Sequence, residues 1–100
     1  MNKINNTIED YCSAIRIYSD DDRVYLQRGN LYLDLGKYEE AIADCTRAIK
    51  VNSINTSAYV NRGIAKQNSG LSFYSDYKKA CDLGQKICCD WYYKQCKYSY

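Results

Sequence analysis

The 100-residue chain has no histidine and no proline, and it has only one phenylalanine, one tryptophan and one methionine. Without an imidazole there is no side chain whose ordinary pKa lies near neutrality. That excludes nucleophile systems with a histidine base and zinc sites with histidine ligands. Without proline there are no rigid linkers, and every chain break falls to Gly, Asn, Asp or Ser. Scarce Phe and Trp beside twelve Tyr mean that most aromatic surface carries a hydroxyl, which suits a thin core or a wet interface. Charge of one sign is scarce as well: fourteen basic and twelve acidic residues leave a net charge of +2. Such a field is too weak to capture nucleic acid or an anionic membrane, so neither is expected as a partner. No apolar run approaches the roughly 20 residues that span a bilayer, and the first residues lack the apolar stretch of a signal peptide, so a cytoplasmic chain is expected. There is no Gly-rich phosphate loop, no nucleophile beside a base and no pair of carboxylates placed for acid-base work. No catalytic residue, cofactor or metal is expected. Asp20-Asp21-Asp22 lacks the spaced ligands of a calcium loop and is read as an acidic helix start favoured by the macrodipole.

What the chain does contain is a copy of itself. The shift that brings Asp10 onto Asp44 also carries Tyr11, Ala14 and Ile15 onto Cys45, Ala48 and Ile49, and it carries Tyr25, Arg28, Gly29 and Gly36 onto Tyr59, Arg62, Gly63 and Gly70. Beyond Gly70 the register shortens by two, so that Asp44 meets Asp76, Ala48 meets Ala80 and Val51 meets Leu83. Each unit reads as two helices. Tyr25, Arg28, Gly29 and Tyr32 recur at helical spacing before the stop at Gly36, and Ala41, Ile42, Cys45, Ala48 and Ile49 form the second apolar stripe. Gly29 is expected to face Ala41, and Gly63 the stretch near Tyr74, because only small residues let helix axes approach so closely.

Period, helix lengths and small-residue positions resemble the tetratricopeptide repeat family, the resemblance being carried by Tyr25, Gly29, Tyr32, Gly36, Tyr38, Ala41, Cys45 and Ala48, then Tyr59, Gly63, Ala65, Gly70 and Ala80. Residues 75–84 are similar to the terminal unit of bacterial members and of Sel1-like repeats. The resemblance implies one all-α domain, a right-handed solenoid of antiparallel helix pairs: an orphan helix at 6–18, repeats at 22–51 and 56–83, and a capping helix at 86–97. The tyrosine-rich tail from Trp91 to Tyr100 is expected to cap the open end.

Six cysteines are present, four of them in the final twenty residues. No Cys-x-x-Cys pair exists for a zinc knuckle or a thioredoxin-like centre. If the chain turns at Gly84-Gln85, Cys81 opposes Cys89, Tyr77 opposes Tyr93 and Tyr74 opposes Cys96. The gap between Cys81 and Cys89 is also that of the bridged cysteines in Sel1-like repeats. A disulfide there, with Cys88 as competitor, stands beside the alternative that Cys81 is a small core residue in the place of Ile49. A real bridge would imply a periplasmic or exported setting. Arg28 and Arg62 fall on the packing side, where lone arginines rarely bury. Asp10, Asp44 and Asp76 recur in one phase, so Arg28 is expected level with Asp10 and Asp44, and Arg62 level with Asp44 and Asp76, as a structural charge ladder.

The family resemblance implies a protein-interaction module, not an enzyme, with a peptide or partner helix lying along the first helices of each pair. The residues available there are Arg23, Leu26, Asn30 and Leu33, then Val60, Asn61, Ile64 and Asn68. Asn30 and Asn61 match the asparagines with which chaperone-binding members hold a peptide's terminal carboxylate, and Lys86 matches one of the clamp's cations. Leu26 and Asp90 stand where the other cations belong, which disfavours an acidic C-terminus as ligand. The alternative function is a self-associating scaffold, a homodimer through the exposed terminal helices.

Overall fold

The computed structural model describes residues 3–17, 20–86 and 89–90, with side chains from residue 9 onward in those ranges. Among them are five helices and no strand: α1 (Lys3–Ile17), α2 (Asp22–Asp34), α3 (Tyr38–Val51), α4 (Thr56–Asn68) and α5 (Tyr74–Asp82). Lys86, Cys89 and Asp90 are helical again. The remainder of the expected capping helix 86–97 lies outside the described residues, as do Cys88, Cys96, the aromatic tail and the pairings of Tyr77 with Tyr93 and Tyr74 with Cys96. The first helix begins at Lys3, earlier than residue 6. No described helix is long and apolar enough to cross a membrane.

Caps explain the boundaries. The Asp21 carboxylate accepts the Arg23 N–H at 2.9 Å, and at the same place in the next unit the Asn55 side-chain oxygen accepts the Ala58 N–H at 3.1 Å, so each first helix starts on a side-chain acceptor. At the other end Gly36 and Gly70 take φ of 74° and 76°, the left-handed conformation that lets the next residue's N–H reach back. Lys37 donates to the Tyr32 carbonyl and Leu71 to the Lys66 carbonyl, both at 2.8 Å. A third such closure, Gln85 to Ala80 at 3.0 Å beyond Gly84, ends α5. Asp22 is more than a helix-start charge. Its carboxylate accepts the Asn52 and Asn55 side-chain amides at 3.1 and 2.7 Å and ties the start of α2 to the loop before α4.

Each helix packs on the next, and α2 also touches α4. The buried interior is built from small residues: Ala41, Cys45, Ala48, Ala58, Ala65 and Ala80 are each 0% exposed. Among the described residues only Tyr59 and Tyr77 add apolar bulk to it, and Ile49, Val60, Ile64, Phe73 and Leu83 lean on them from the half-buried layer. The glycines set the helix spacing. A Cβ on Gly29 would stand 3.2 Å from the Asp44 Cβ and 3.4 Å from the Cys45 Sγ, with the Ala41 carbonyl at 3.5 Å. A Cβ on Gly63 would meet the Tyr77 ring at 3.0 Å. The contact expected near Tyr74 is thus made one turn later by Tyr77, which stands over Gly63 where Cys45 stands over Gly29 in the unit before.

Gly63→Ala therefore opposes two effects. A helical Gly→Ala change gains about 0.5–1 kcal/mol, and overpacking costs about 1–3 kcal/mol. The Tyr77 ring is buried, meets Phe73 edge-on at 5.7 Å and donates its hydroxyl to Gln67 at 3.3 Å, so it has little freedom to retreat. The expected net result is a lower urea midpoint. A raised midpoint would mean that the ring yields at no cost.

Candidate functional site

The two arginines on the packing side are each held by one carboxylate of their own unit. Arg28 reaches Asp44 through Nε at 2.7 Å and Nη2 at 2.6 Å, and Arg62 reaches Asp76 through Nε at 3.0 Å and Nη2 at 2.6 Å. Asp44 and Asp76 are 0% and 2% exposed, and each has a second cation, Arg47 at 3.2 Å and Lys66 at 3.3 Å. The bidentate bonds to Asp44 hold the Arg28 guanidinium above its ordinary pKa despite desolvation, and those to Asp76 do the same for Arg62. The guanidinium planes also lie over the rings of Tyr32 and Tyr59 at 5.8 and 5.6 Å.

The expected two-sided ladder is corrected here. Toward the preceding second helix Arg28 donates to the Cys12 Sγ at 3.3 Å, and Arg62 to the Thr46 hydroxyl at 3.3 Å, not to Asp10 or Asp44. Counting residues across a hairpin gives the level along the axis but not the direction around it. Asp44 points back to α2, so Asp10, which shares its phase, points away from α2. Asp10 is exposed and makes no ion pair among the described residues.

On the face shared by α2 and α4, Asn61 Nδ2 donates to Asn30 Oδ1 at 3.1 Å. This bond uses the Asn30 carbonyl and one Asn61 N–H, so the Asn30 N–H groups and the Asn61 carbonyl take no part in it, a donor and an acceptor of the kind that one peptide group needs. Leu26 and Leu33 are half-buried beside them, and Val60 and Ile64 are half-buried with part of their surface already packed on the Tyr59–Tyr77 cluster. Two expected members are engaged elsewhere. Arg23 folds onto Asp21 at the start of α2, with both contacts at 3.1 Å, and Asn68 donates to the Ile64 carbonyl of its own helix at 3.0 Å. A pocket of about 210 Å³ opens on the other flank of α2, lined by Tyr11, Gln27, Asn30, Leu31 and Asp34. Neither Tyr11 nor Leu31 was legible as a site residue: Tyr11 aligns with Cys45 of the core stripe, and Leu31 belongs to no stripe read from the sequence. Cys81 and Cys89 are joined across the Gly84 turn with Cα atoms 4.5 Å apart. Cys45 is buried, and Cys12 lies partly exposed beside Arg28.

A profile of the tetratricopeptide repeat matches residues 23–55. Two relatives match most of the chain: the tetratricopeptide repeat protein 4 homolog of Dictyostelium discoideum is 33% identical over 86 residues, and the Hsp70-Hsp90 organizing protein 1 of Arabidopsis thaliana is 32% identical over 85. These matches cover 82% and 79% of this chain but only 21% and 15% of those proteins, so the chain spans about a fifth or less of their length. Among solved structures, the second tetratricopeptide domain of human RPAP3, in complex with the HSP70 peptide SGPTIEEVD, superposes with a TM-score of 0.82 at 29% identity. That match covers 92% of this chain and 80% of that one.

Proposed function

Because this chain belongs to the tetratricopeptide repeat family, we propose that it is a non-catalytic protein-interaction module holding an extended peptide along α2 and α4. The observation that carries this reading is the Asn30–Asn61 pair, joined side chain to side chain at an exposed position by a bond that does not use the Asn30 N–H groups or the Asn61 carbonyl. Such a pair reads a backbone rather than a charge. The peptide's apolar side chains lie against Leu26 and the outer surfaces of Val60 and Ile64.

The same residues set the ligand's charge. The RPAP3 domain was solved with a peptide that ends in acidic residues. Here Leu26 and Asp90 occupy two of the positions at which cations would neutralise such an end, and Lys86 alone remains, exposed. A carboxylate desolvated beside Asp90 would be opposed by like charge. The favoured ligand is uncharged or of mixed polarity.

Asn61→Ala is expected to weaken a neutral eight-residue ligand selected from a displayed library by tenfold or more. Its stability cost is that of one exposed hydrogen bond, about 1 kcal/mol or less. Raising salt from about 50 to 500 mM should change the affinity little, because few charges take part. The peptide SGPTIEEVD should bind more weakly than the neutral ligand. If binding survives Asn61→Ala but collapses in salt, or if SGPTIEEVD is the tighter ligand, the asparagine pair is not the site.

A further inference from the structure

Positions that are fully buried in one unit are only partly buried one repeat earlier. Cys45, Ala48, Ala58 and Ala65 are each 0% exposed, in the region where α2 packs against both α3 and α4. Their counterparts one repeat earlier are Tyr11, Ala14, Val24 and Leu31, all only partly buried and three of them larger. Polar groups show the same imbalance. Asp44 and Asp76 each receive an arginine from the helix before them, whereas Asp10 is exposed and makes no ion pair among the described residues. Asn61 receives Asn30 as its hydrogen-bond partner, while its counterpart Gln27 lines the 210 Å³ pocket.

We propose that the face formed by Asp10, Tyr11, Gln27 and Leu31 docks an α-helix of a partner protein that presents an Arg-Gly pair, its arginine on Asp10 and its glycine over the Tyr11 ring. The chain shows twice how such a helix sits. In α2 Arg28 takes Asp44, Gly29 lies against Cys45 and Asn30 bonds to Asn61. In α4 Arg62 takes Asp76, and Gly63 lies against the Tyr77 ring. Tyr11, Cys45 and Tyr77 occupy the same position of their units, so the Tyr11 ring is prepared for a glycine as the Tyr77 ring is occupied by one. A larger residue would hold the axes apart, and a helix without a cation would desolvate Asp10 unpaired. A second copy of this chain does not offer such a helix, because its own two Arg-Gly pairs are buried or ion-paired inside their units.

The probe is a helix-stapled peptide of residues 22–35, which carries Arg28-Gly29-Asn30 on a helix too short to be stable alone in water. Titrated into the isotope-labelled chain, it should shift the amide signals of Asp10, Tyr11, Ala14, Gln27 and Leu31. Arg28→Met in the peptide, or Asp10→Asn in the chain, should each weaken binding by tenfold or more. Combining the two should add little further loss, because both remove one ion pair. Asp10→Asn should leave the melting temperature of the chain unchanged, since that carboxylate is exposed. The proposal is overturned if the stapled peptide does not bind at millimolar concentration, if Arg28→Met binds equally well, or if the shifts fall on Leu26, Val60 and Asn61 instead. It is overturned too if the labelled chain alone forms a dimer through this face, for then a second copy is the occupant.

Discussion

Asp76→Ala should destabilise the chain by about 3–5 kcal/mol, which is a large fraction of the stability of a domain this size. Asp76 is 2% exposed and is the shared acceptor of Arg62 and Lys66, whose side chains are 19% and 24% exposed. Its removal leaves two cations crowded in a site that excludes most water, with no anion between them. Arg62→Ala should cost less, about 1–3 kcal/mol, because Lys66 stays 3.3 Å from the carboxylate and neutralises part of it. The contrasting control is Asp82→Ala, whose partner Lys78 is as exposed as Asp82 itself; its loss should stay within about 0.5 kcal/mol. Urea midpoints of the three variants rank the effects. An Asp76→Ala midpoint indistinguishable from that of Asp82→Ala would show that the buried pair contributes nothing.

Alkaline titration should expose the second large effect. Burial pushes the Cys45 thiol up to about 12 from its ordinary 9.0, with the Asp44 charge acting in the same direction. The folded chain therefore keeps a proton that the unfolded chain releases. The stability attached to that proton is complete below pH 9 and disappears as pH rises through about 12, a loss on the order of 4 kcal/mol if carried to the end. Tyrosines and lysines also titrate in this range, so the comparison is with Cys45→Ala, which packs nearly as well but has nothing to ionise. Between about pH 8 and 11 the native chain should lose roughly 2–3 kcal/mol more than the variant does. Parallel pH profiles would show that Cys45 ionises without disturbing the fold. At neutral pH the same burial predicts that an alkylating reagent reaches Cys12 well before Cys45.

The architecture was legible because its signals are local and duplicated. Gly36 and Gly70 recur one repeat apart and close both first helices in the same way, and the buried Ala48 of α3 reappears as Ala80 of α5. What escaped was direction around a helix. The level of Arg28 beside Asp10 followed from counting, yet its guanidinium turns to Asp44 and Cys12. Gly63 meets Tyr77, the residue that the shortened register sets in the place of Cys45 over Gly29, rather than the stretch near Tyr74. Asn30 and Asn61 stood out as groove residues, but their mutual bond depends on how closely α2 and α4 approach. Tyr11, aligned with Cys45, could not be recognised as a residue left partly open, since an apolar stripe has the same spelling whether or not another helix covers it.

The placement of the arginine pairs says how such a chain can be lengthened. Each bond network between guanidinium and carboxylate closes within one unit, from α2 to α3 and from α4 to α5, and none of these pairs crosses the loop between Val51 and Thr56. A duplication or deletion whose end falls in that loop inserts or removes whole pairs and leaves no buried charge behind. A half-unit step, with one end in that loop and the other between α2 and α3, would instead separate Arg28 from Asp44 and strand a carboxylate in the interior. Copy number in this architecture is therefore free to drift in steps of a full unit, and half-unit steps are penalised by electrostatics before packing is considered.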